Sequence, residues 1–166
     1  MKQAVVIMGV AGCGKSSLAK ALAEAQGWRL IEGDDFHSPE SRAKMSQGIA
    51  LADADRAGWL TVLGAEMQQH PGGVVLTCSA LKKAYRDCLR AAVPGLHFAF
   101  LEIAKDEAQR RVVARSASHF FSASLVDNQF ATLESPVGEA NVIQLKATDA
   151  PEALQREVSQ WLQKPN

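Results

Sequence analysis

Ala4 to Met8 is an unbroken apolar run, mostly β-branched, that stops at Gly9; this is the pattern of a strand buried on both faces. From Ser16 to Ala25 the period changes. Leu18, Ala19, Leu22 and Ala23 recur at helical spacing, and Gly27 closes the segment. Trp28 to Ile31 predicts a second short strand, which runs into a polar turn around Gly33-Asp34-Asp35. Residues from about Pro39 to Gln69 read as mainly helical, with Asp53 placed to cap a helix carrying Trp59, Leu60, Leu63 and Met67. After Pro71-Gly72-Gly73, Val74 to Cys78 predicts a third strand and Lys82 to Ala92 a helix stopped before Pro94-Gly95. Phe98 to Ile103 predicts a fourth strand, Asp106 to Arg115 a helix, Val142 to Leu145 a fifth strand, and Pro151 to Leu162 a closing helix.

Strands alternating with helices imply βαβ units and a mainly parallel sheet covered on both faces, hence an α/β fold. The 166 residues predict one domain spanning 1–166, since domains run to roughly 100–200 residues. Hydrophobic residues make up 47% and charged residues 22%, an ordinary globular balance that disfavours disorder. Eighteen basic and eighteen acidic residues cancel, so there is no charge surplus for gripping a nucleic-acid backbone. Apolar stretches fall short of a membrane span. No nucleic-acid or membrane partner is expected. Cys13, Cys78 and Cys88 are odd in number and lack metal-ligand spacing, so they read as reduced thiols of a cytoplasmic protein. Lys2 and the apolar run up to Cys13 could pass for a lipoprotein signal, but Gly14-Lys15-Ser16 completes a different motif.

That motif is Gly9-Val10-Ala11-Gly12-Cys13-Gly14-Lys15-Ser16, which matches G-x-x-x-x-G-K-[ST] after a strand and at the opening of a helix. Its glycines let consecutive N–H groups converge on an anion, and the helix start adds its positive dipole end. Gly9, Val10, Ala11, Gly12, Cys13, Gly14, Lys15, Ser16 and Ser17 are therefore the expected nucleoside-triphosphate-binding residues. Lys15 would reach the β- and γ-phosphates, and the Ser16 hydroxyl would ligate Mg²⁺. No Asn-Lys-x-Asp element accompanies the loop, which disfavours a GTPase switch. The third strand ends in Cys78-Ser79 rather than an acid, which disfavours a mechanical ATPase. A short neutral chain with one phosphate loop suits a kinase for a small metabolite.

The acceptor side falls at Glu32-Gly33-Asp34-Asp35-Phe36-His37, because ligands of open α/β sheets lie at the carboxyl ends of strands. Asp34 is the candidate to orient or deprotonate an acceptor hydroxyl and to help hold Mg²⁺. The pair Asp34-Asp35 equally suits a solvated turn, and His37 alone equally suits a polar surface residue. Arg56 could be an ion-paired helix residue. Lys82, Lys83, Arg86 and Arg90 could form a solvated helix face, although they follow a strand end beside the crevice, where arginines suit carboxylate or phosphate capture. The three tryptophans read as core. The segment from Arg110 to Arg115 and on to Phe120-Phe121 is either a lid hinge that delivers arginines or an amphipathic helix; spacing leaves both open.

Taken together, Gly9-to-Ser16, Glu32-Gly33-Asp34-Asp35-Phe36-His37, Lys44-Met45, Asp53-x-Asp55-Arg56-x-x-Trp59-Leu60, Cys78-Ser79-Ala80-Leu81-Lys82-x-x-Tyr85-Arg86, and His119-Phe120-Phe121 through Gln129-Phe130-x-x-Leu133-Glu134-x-Pro136 resemble the P-loop gluconokinase family. The match is collinear up to about residue 146. The resemblance implies a three-layer P-loop kinase fold with a five-stranded parallel sheet, similar to nucleoside monophosphate and shikimate kinases, and a lid around 115–135. It implies ATP- and Mg²⁺-dependent phosphorylation of D-gluconate at the 6-hydroxyl, in a homodimer. Carried over by position, Lys15, Asp34 and Arg115 are the catalytic candidates, and Ser16 and Asp34 the metal-binding ones. Asp34, His37, Lys44, Arg56, Arg86 and His119 are the substrate candidates. Two departures stand out: Glu32 replaces the family's frequent aspartate, outside the expected chemistry, and Ser116-Ala117-Ser118 replaces a shorter, glycine-ended run before His119. A kinase for another small hydroxy acid such as shikimate, and a non-catalytic ATP-sensing module, are the competing readings.

Overall fold

The computed structural model describes residues 3–115 and 123–164. Five strands, β1 (Ala4–Met8), β2 (Arg29–Glu32), β3 (Val74–Thr77), β4 (His97–Glu102) and β5 (Val142–Lys146), form one sheet in the order β2-β3-β1-β4-β5. Every pairing is parallel; Val5 of β1 lies opposite Val75 on one side and His97 on the other. The helices between them are α1 (Lys15–Gln26), α2 (Pro39–Ser46), α3 (Asp53–Gln68), α4 (Lys83–Ala92), α5 (Lys105–Ala114), α6 (Ala123–Thr132) and α7 (Pro151–Gln163).

The period-2 alternation of the central strand separates two cores. Val5 and Ile7 pack with Leu18 and Leu22 of α1, Val112 of α5 and Val158 of α7. Val6 and Met8 point the other way, onto Leu60 and Leu63 of α3 and Leu89 of α4. The result is a three-layer α/β/α architecture, as the resemblance implies. β1 is central while β2 lies beyond β3, so the chain crosses over and leaves a crevice at the carboxyl ends of β1 and β3.

Several element boundaries differ from the sequence reading for local reasons. Trp28 lies between α1 and β2 rather than in β2, because Gly27 turns left-handed (φ 68°) and the Trp28 N–H closes onto the Ala23 carbonyl at 3.0 Å. The long helical stretch divides into α2 and α3, separated by irregular residues 47–52. Ala52, not Asp53, caps α3, and the Asp55 carboxylate accepts from the Ala52 N–H at 2.8 Å. Of the segment left open between lid hinge and helix, Arg110 to Ala114 form the end of helix α5, and residues 116–122 lie outside the described residues.

Candidate active site

The phosphate loop leaves β1 at Gly9 and enters α1 at Lys15. Gly9, Gly12 and Gly14 all hold positive φ. At Gly12 (φ +86°) a Cβ would also meet the Ala108 carbonyl oxygen at 2.8 Å, so this position takes glycine for two reasons. Lys15 Nζ donates to the carbonyl oxygens of Gly9 at 3.1 Å and Val10 at 3.2 Å. The ammonium is thereby held over the concave side of its own loop.

One strand away, Gly33 sits so close to β3 that a Cβ would fall 2.1 Å from the Thr77 carbonyl oxygen. This close approach aims the turn Gly33–Phe36 at the phosphate loop. The Glu32 carboxylate accepts from the Ser16 hydroxyl at 2.9 Å and from the Thr77 hydroxyl at 2.8 Å, and Thr77 Oγ1 accepts from the Gly33 N–H at 3.1 Å. Glu32 therefore belongs to the site rather than lying outside it. Its signal was available: it ends a strand at the crevice, as Asp34 nearly does.

Asp34 lies on the cleft wall with its side chain half exposed, and its Oδ1 is 3.3 Å from Nε2 of the buried His37. His37 stacks on Trp59 with ring centroids 4.2 Å apart and an interplanar angle of 20°. The Trp59 indole N–H donates to the Gly33 carbonyl at 2.8 Å. Trp59 is thus both core, as expected, and the support for the acceptor turn. Arg56 is buried, lines the same cleft and lies over the Tyr85 ring at 5.4 Å. Tyr85 in turn donates to Asp53, and the hydrogen bond from Tyr85 holds the Asp53 carboxyl below its ordinary value. Burial and that same contact push the Tyr85 hydroxyl up to about 12.

The structure brings Ala11, Gly12, Gly14, Lys15, Ser16, Ser17, Asp34, His37, Arg56 and Arg115 to one cleft. Cys13 is buried under the loop and, with Gly14 and Ser17, lines a second cavity that Arg111, Thr148 and Pro151 complete. Gly9 and Val10 contribute their carbonyls to Lys15. Two expected substrate residues are elsewhere. Lys44 pairs with both oxygens of Asp55 at 3.0 Å and does not line the cleft.

Arg86 requires a larger correction. It is wholly buried, forks onto Glu139 through Nε at 2.9 Å and Nη2 at 2.7 Å, and donates to the carbonyls of Ala80 and Glu134. One of its hydrogen bonds goes to the loop that leaves β3, where Ala80 holds a positive φ of 47°, and three more go to Glu134 and Glu139 beyond α6. Arg86 is an anchor of the fold, not a cleft residue. Lys82, Lys83 and Arg90 pair with Asp53, Asp87 and Glu139. His119 lies outside the described residues.

No helix among the described residues is long and apolar enough to cross a membrane. All three cysteines are free, with Cys13 and Cys78 buried and Cys88 exposed, and burial pushes the Cys78 thiol up to about 12.

A phosphate loop, a parallel sheet with its crevice at β1 and β3, and a carboxylate facing the loop define a small-molecule P-loop kinase. Residues 5–136 match the family model described as an AAA domain. A probable gluconokinase of Schizosaccharomyces pombe is 39% identical over 94% of this chain and 86% of its own length. The gluconokinase of Gluconobacter oxydans is 39% identical over 96% and 90%. The crystal structure of a gluconokinase from Sinorhizobium meliloti superposes with a TM-score of 0.83 at 40% identity, covering 96% of this chain and 95% of that one. The chain belongs to the gluconokinase family. The adenosine-phosphosulfate kinase of Mycobacterium tuberculosis, at 19% identity and TM-score 0.69, shares the fold.

Proposed function

We propose that this protein transfers the γ-phosphoryl group of ATP to the 6-hydroxyl of D-gluconate, giving 6-phospho-D-gluconate and ADP. The observation that carries this reading is a pair of buried, unpartnered polar atoms in the cleft: Arg56 Nε and His37 Nδ1. Buried polar atoms are nearly always satisfied, so a donor and an acceptor left open together await a ligand. With the His37 Nε2 proton directed at Asp34, Nδ1 is an acceptor suited to a hydroxyl, and Arg56 is a donor suited to a carboxylate or hydroxyl oxygen. A polyhydroxy acid supplies both.

In this reading the acceptor hydroxyl gives its proton to Asp34 while its oxygen forms a bond to the γ-phosphorus. The bond from that phosphorus to the β-bridging oxygen breaks, and ADP leaves with the electron pair. Lys15 and Arg115, both on the cleft wall, would offset the negative charge that builds on the transferring group. In this reading the segment around 115–135 serves as the lid of one domain spanning 1–166, a role supported by Arg115 on the cleft wall. Magnesium fits the donor set. The Ser16 hydroxyl and the Glu32 carboxylate are hard oxygen ligands 2.9 Å apart, and Mg²⁺ takes few protein ligands besides phosphates and water. Bound there, the ion would neutralise β- and γ-oxygens; Ser16 would ligate it, with Glu32 and Asp34 ordering its shell. The free thiols support a reducing, cytoplasmic setting, and the family resemblance supports a homodimer.

The test is ADP formation with Mg-ATP and D-gluconate, compared with no acceptor and with shikimate, together with detection of 6-phosphogluconate. Gluconate-dependent ADP is expected, and Lys15→Ala should lose more than about tenfold in turnover. Turnover on shikimate alone would discard gluconate. ATP binding with no turnover on any acceptor would make the chain a nucleotide-sensing module.

A further inference from the structure

The phosphate loop is gripped by a residue far away in sequence. The Ala11 N–H donates to the Gln129 side-chain oxygen at 2.7 Å across 118 positions, and Gln129 is only 4% exposed although it lines the cleft. At the next residue, Arg111 of α5 donates to the Gly12 carbonyl at 3.2 Å. The tip of the loop is therefore held by one side chain from each of α5 and α6.

The helix that carries Gln129 is itself fastened. Beyond its end, the Glu134 N–H donates to the Leu81 carbonyl at 2.7 Å, and the Glu134 carboxylate accepts from the Lys83 N–H at 2.8 Å. The Glu134 carbonyl accepts from the buried Arg86 at 2.9 Å. A continuous path runs from Arg86 through Glu134 and α6 to Gln129 and the loop.

We infer that Gln129 is a positioning residue for phosphoryl transfer: its amide oxygen holds the Ala11 N–H and so fixes the phosphate loop in one binding conformation. This rests on the kinase reading. A loop with three glycines at positive φ loses much freedom when it closes on a triphosphate. A tether that removes this freedom beforehand strengthens binding without touching the ligand. Ala11's own N–H is turned to Gln129, so the effect is on loop shape rather than on the number of phosphate contacts.

The experiment compares wild type, Gln129→Leu and Gln129→Asn as full chains. Leu keeps the bulk and removes the acceptor; Asn keeps the amide but is one methylene too short. Calorimetric binding of Mg-ATP without acceptor, KM for ATP and for gluconate, and melting temperature are measured. Losing the acceptor should weaken ATP binding and raise the KM for ATP by at least about fivefold, because the freed loop must then be ordered on binding. The KM for gluconate should stay within about twofold. A lowered melting temperature with both constants within about twofold of wild type would reduce Gln129 to a structural role and overturn the inference. If Gln129→Leu does not fold, Gln129→Asn decides by the same criteria. Wild-type protein that binds ATP but turns over neither gluconate nor any other acceptor overturns the kinase reading and leaves the binding comparison intact. Wild-type protein that does not bind ATP overturns both.

Discussion

Trp59 supports the acceptor turn from two directions: its ring stacks on His37 at 4.2 Å, and its indole N–H donates to the Gly33 carbonyl at 2.8 Å. His37 in turn stands 3.3 Å from Asp34, so the indole sets the position of the carboxylate that faces the phosphate loop. Trp59→Phe keeps an aromatic surface for the stack and removes the donor. It should lower kcat by about tenfold and stability by about 1–2 kcal/mol, because small displacements of a reacting group are costly and a buried carbonyl is orphaned. Steady-state kinetics with ATP and gluconate, beside thermal melts, check this; an unchanged kcat would remove Trp59 from the positioning of Asp34.

Asp34→Asn separates chemistry from nucleotide binding. The amide keeps the size of the carboxylate and cannot take the hydroxyl proton, so kcat should fall by about 10²–10⁴-fold. Mg-ATP binding measured calorimetrically should fall by no more than about tenfold, because Asp34 only helps to order the metal's shell and the phosphate loop is untouched. Equal loss in both would show that Asp34 serves the nucleotide instead.

Glu32 is tied to the hydroxyls of Ser16 and Thr77. Glu32→Ala leaves Ser16 without its orienting acceptor. The Mg²⁺ concentration needed for half-maximal rate should rise by about 10–100-fold, the usual consequence of losing a group that orients a metal ligand. A metal titration at saturating ATP and gluconate reads this directly, and an unaltered Mg²⁺ requirement would leave the Glu32 carboxylate only its cross-strand bond to Thr77.

Arg86 and Glu139 form the most deeply buried ion pair among the described residues, with Arg86 fully enclosed and the Glu139 side chain 14% exposed. Arg86→Leu should cost about 3–5 kcal/mol of stability, since it leaves the Glu139 carboxylate with Arg90 alone and orphans the carbonyls of Ala80 and Glu134. The hydrogen bond from Arg86, with help from Arg90, holds the Glu139 carboxyl below its ordinary value of 4.5. A depressed folded value means that the pair stabilises fully above pH 4.5. That contribution is lost as pH falls through the lower folded value. Glu139→Gln should therefore be less stable near neutrality and show a flatter decline in acid. Melting temperatures across that range test the sign.

The elements themselves were legible because their causes are local. Ala4–Met8 is apolar without alternation and must be enclosed by helices on both faces; Leu18, Ala19, Leu22 and Ala23 follow the helical period. Where neighbours intervened, the reading slipped. The helix end at Gly27 took Trp28 out of β2, and residues 47–52 interrupted what composition alone made continuous. The candidate site was legible to the extent that strand ends face the crevice: Lys15, Ser16, Asp34, His37 and Arg56 meet there because the sheet order brings β1, β2 and β3 together.

By itself, the sequence determined the α/β class, the phosphate loop and the carboxylate turn, since periodicity and motif spacing are properties of short stretches of chain. Tertiary structure decided which charged side chains face the cleft. A cation on a helix is drawn to whichever oxygens lie nearest, and spacing does not reveal them: Arg86 found Glu139, 53 positions away, and Lys44 found Asp55. It also decided that Glu32 holds Ser16 and that Gln129 holds Ala11. Such partners exist only once the crossovers of a parallel sheet have folded distant segments against the same loop.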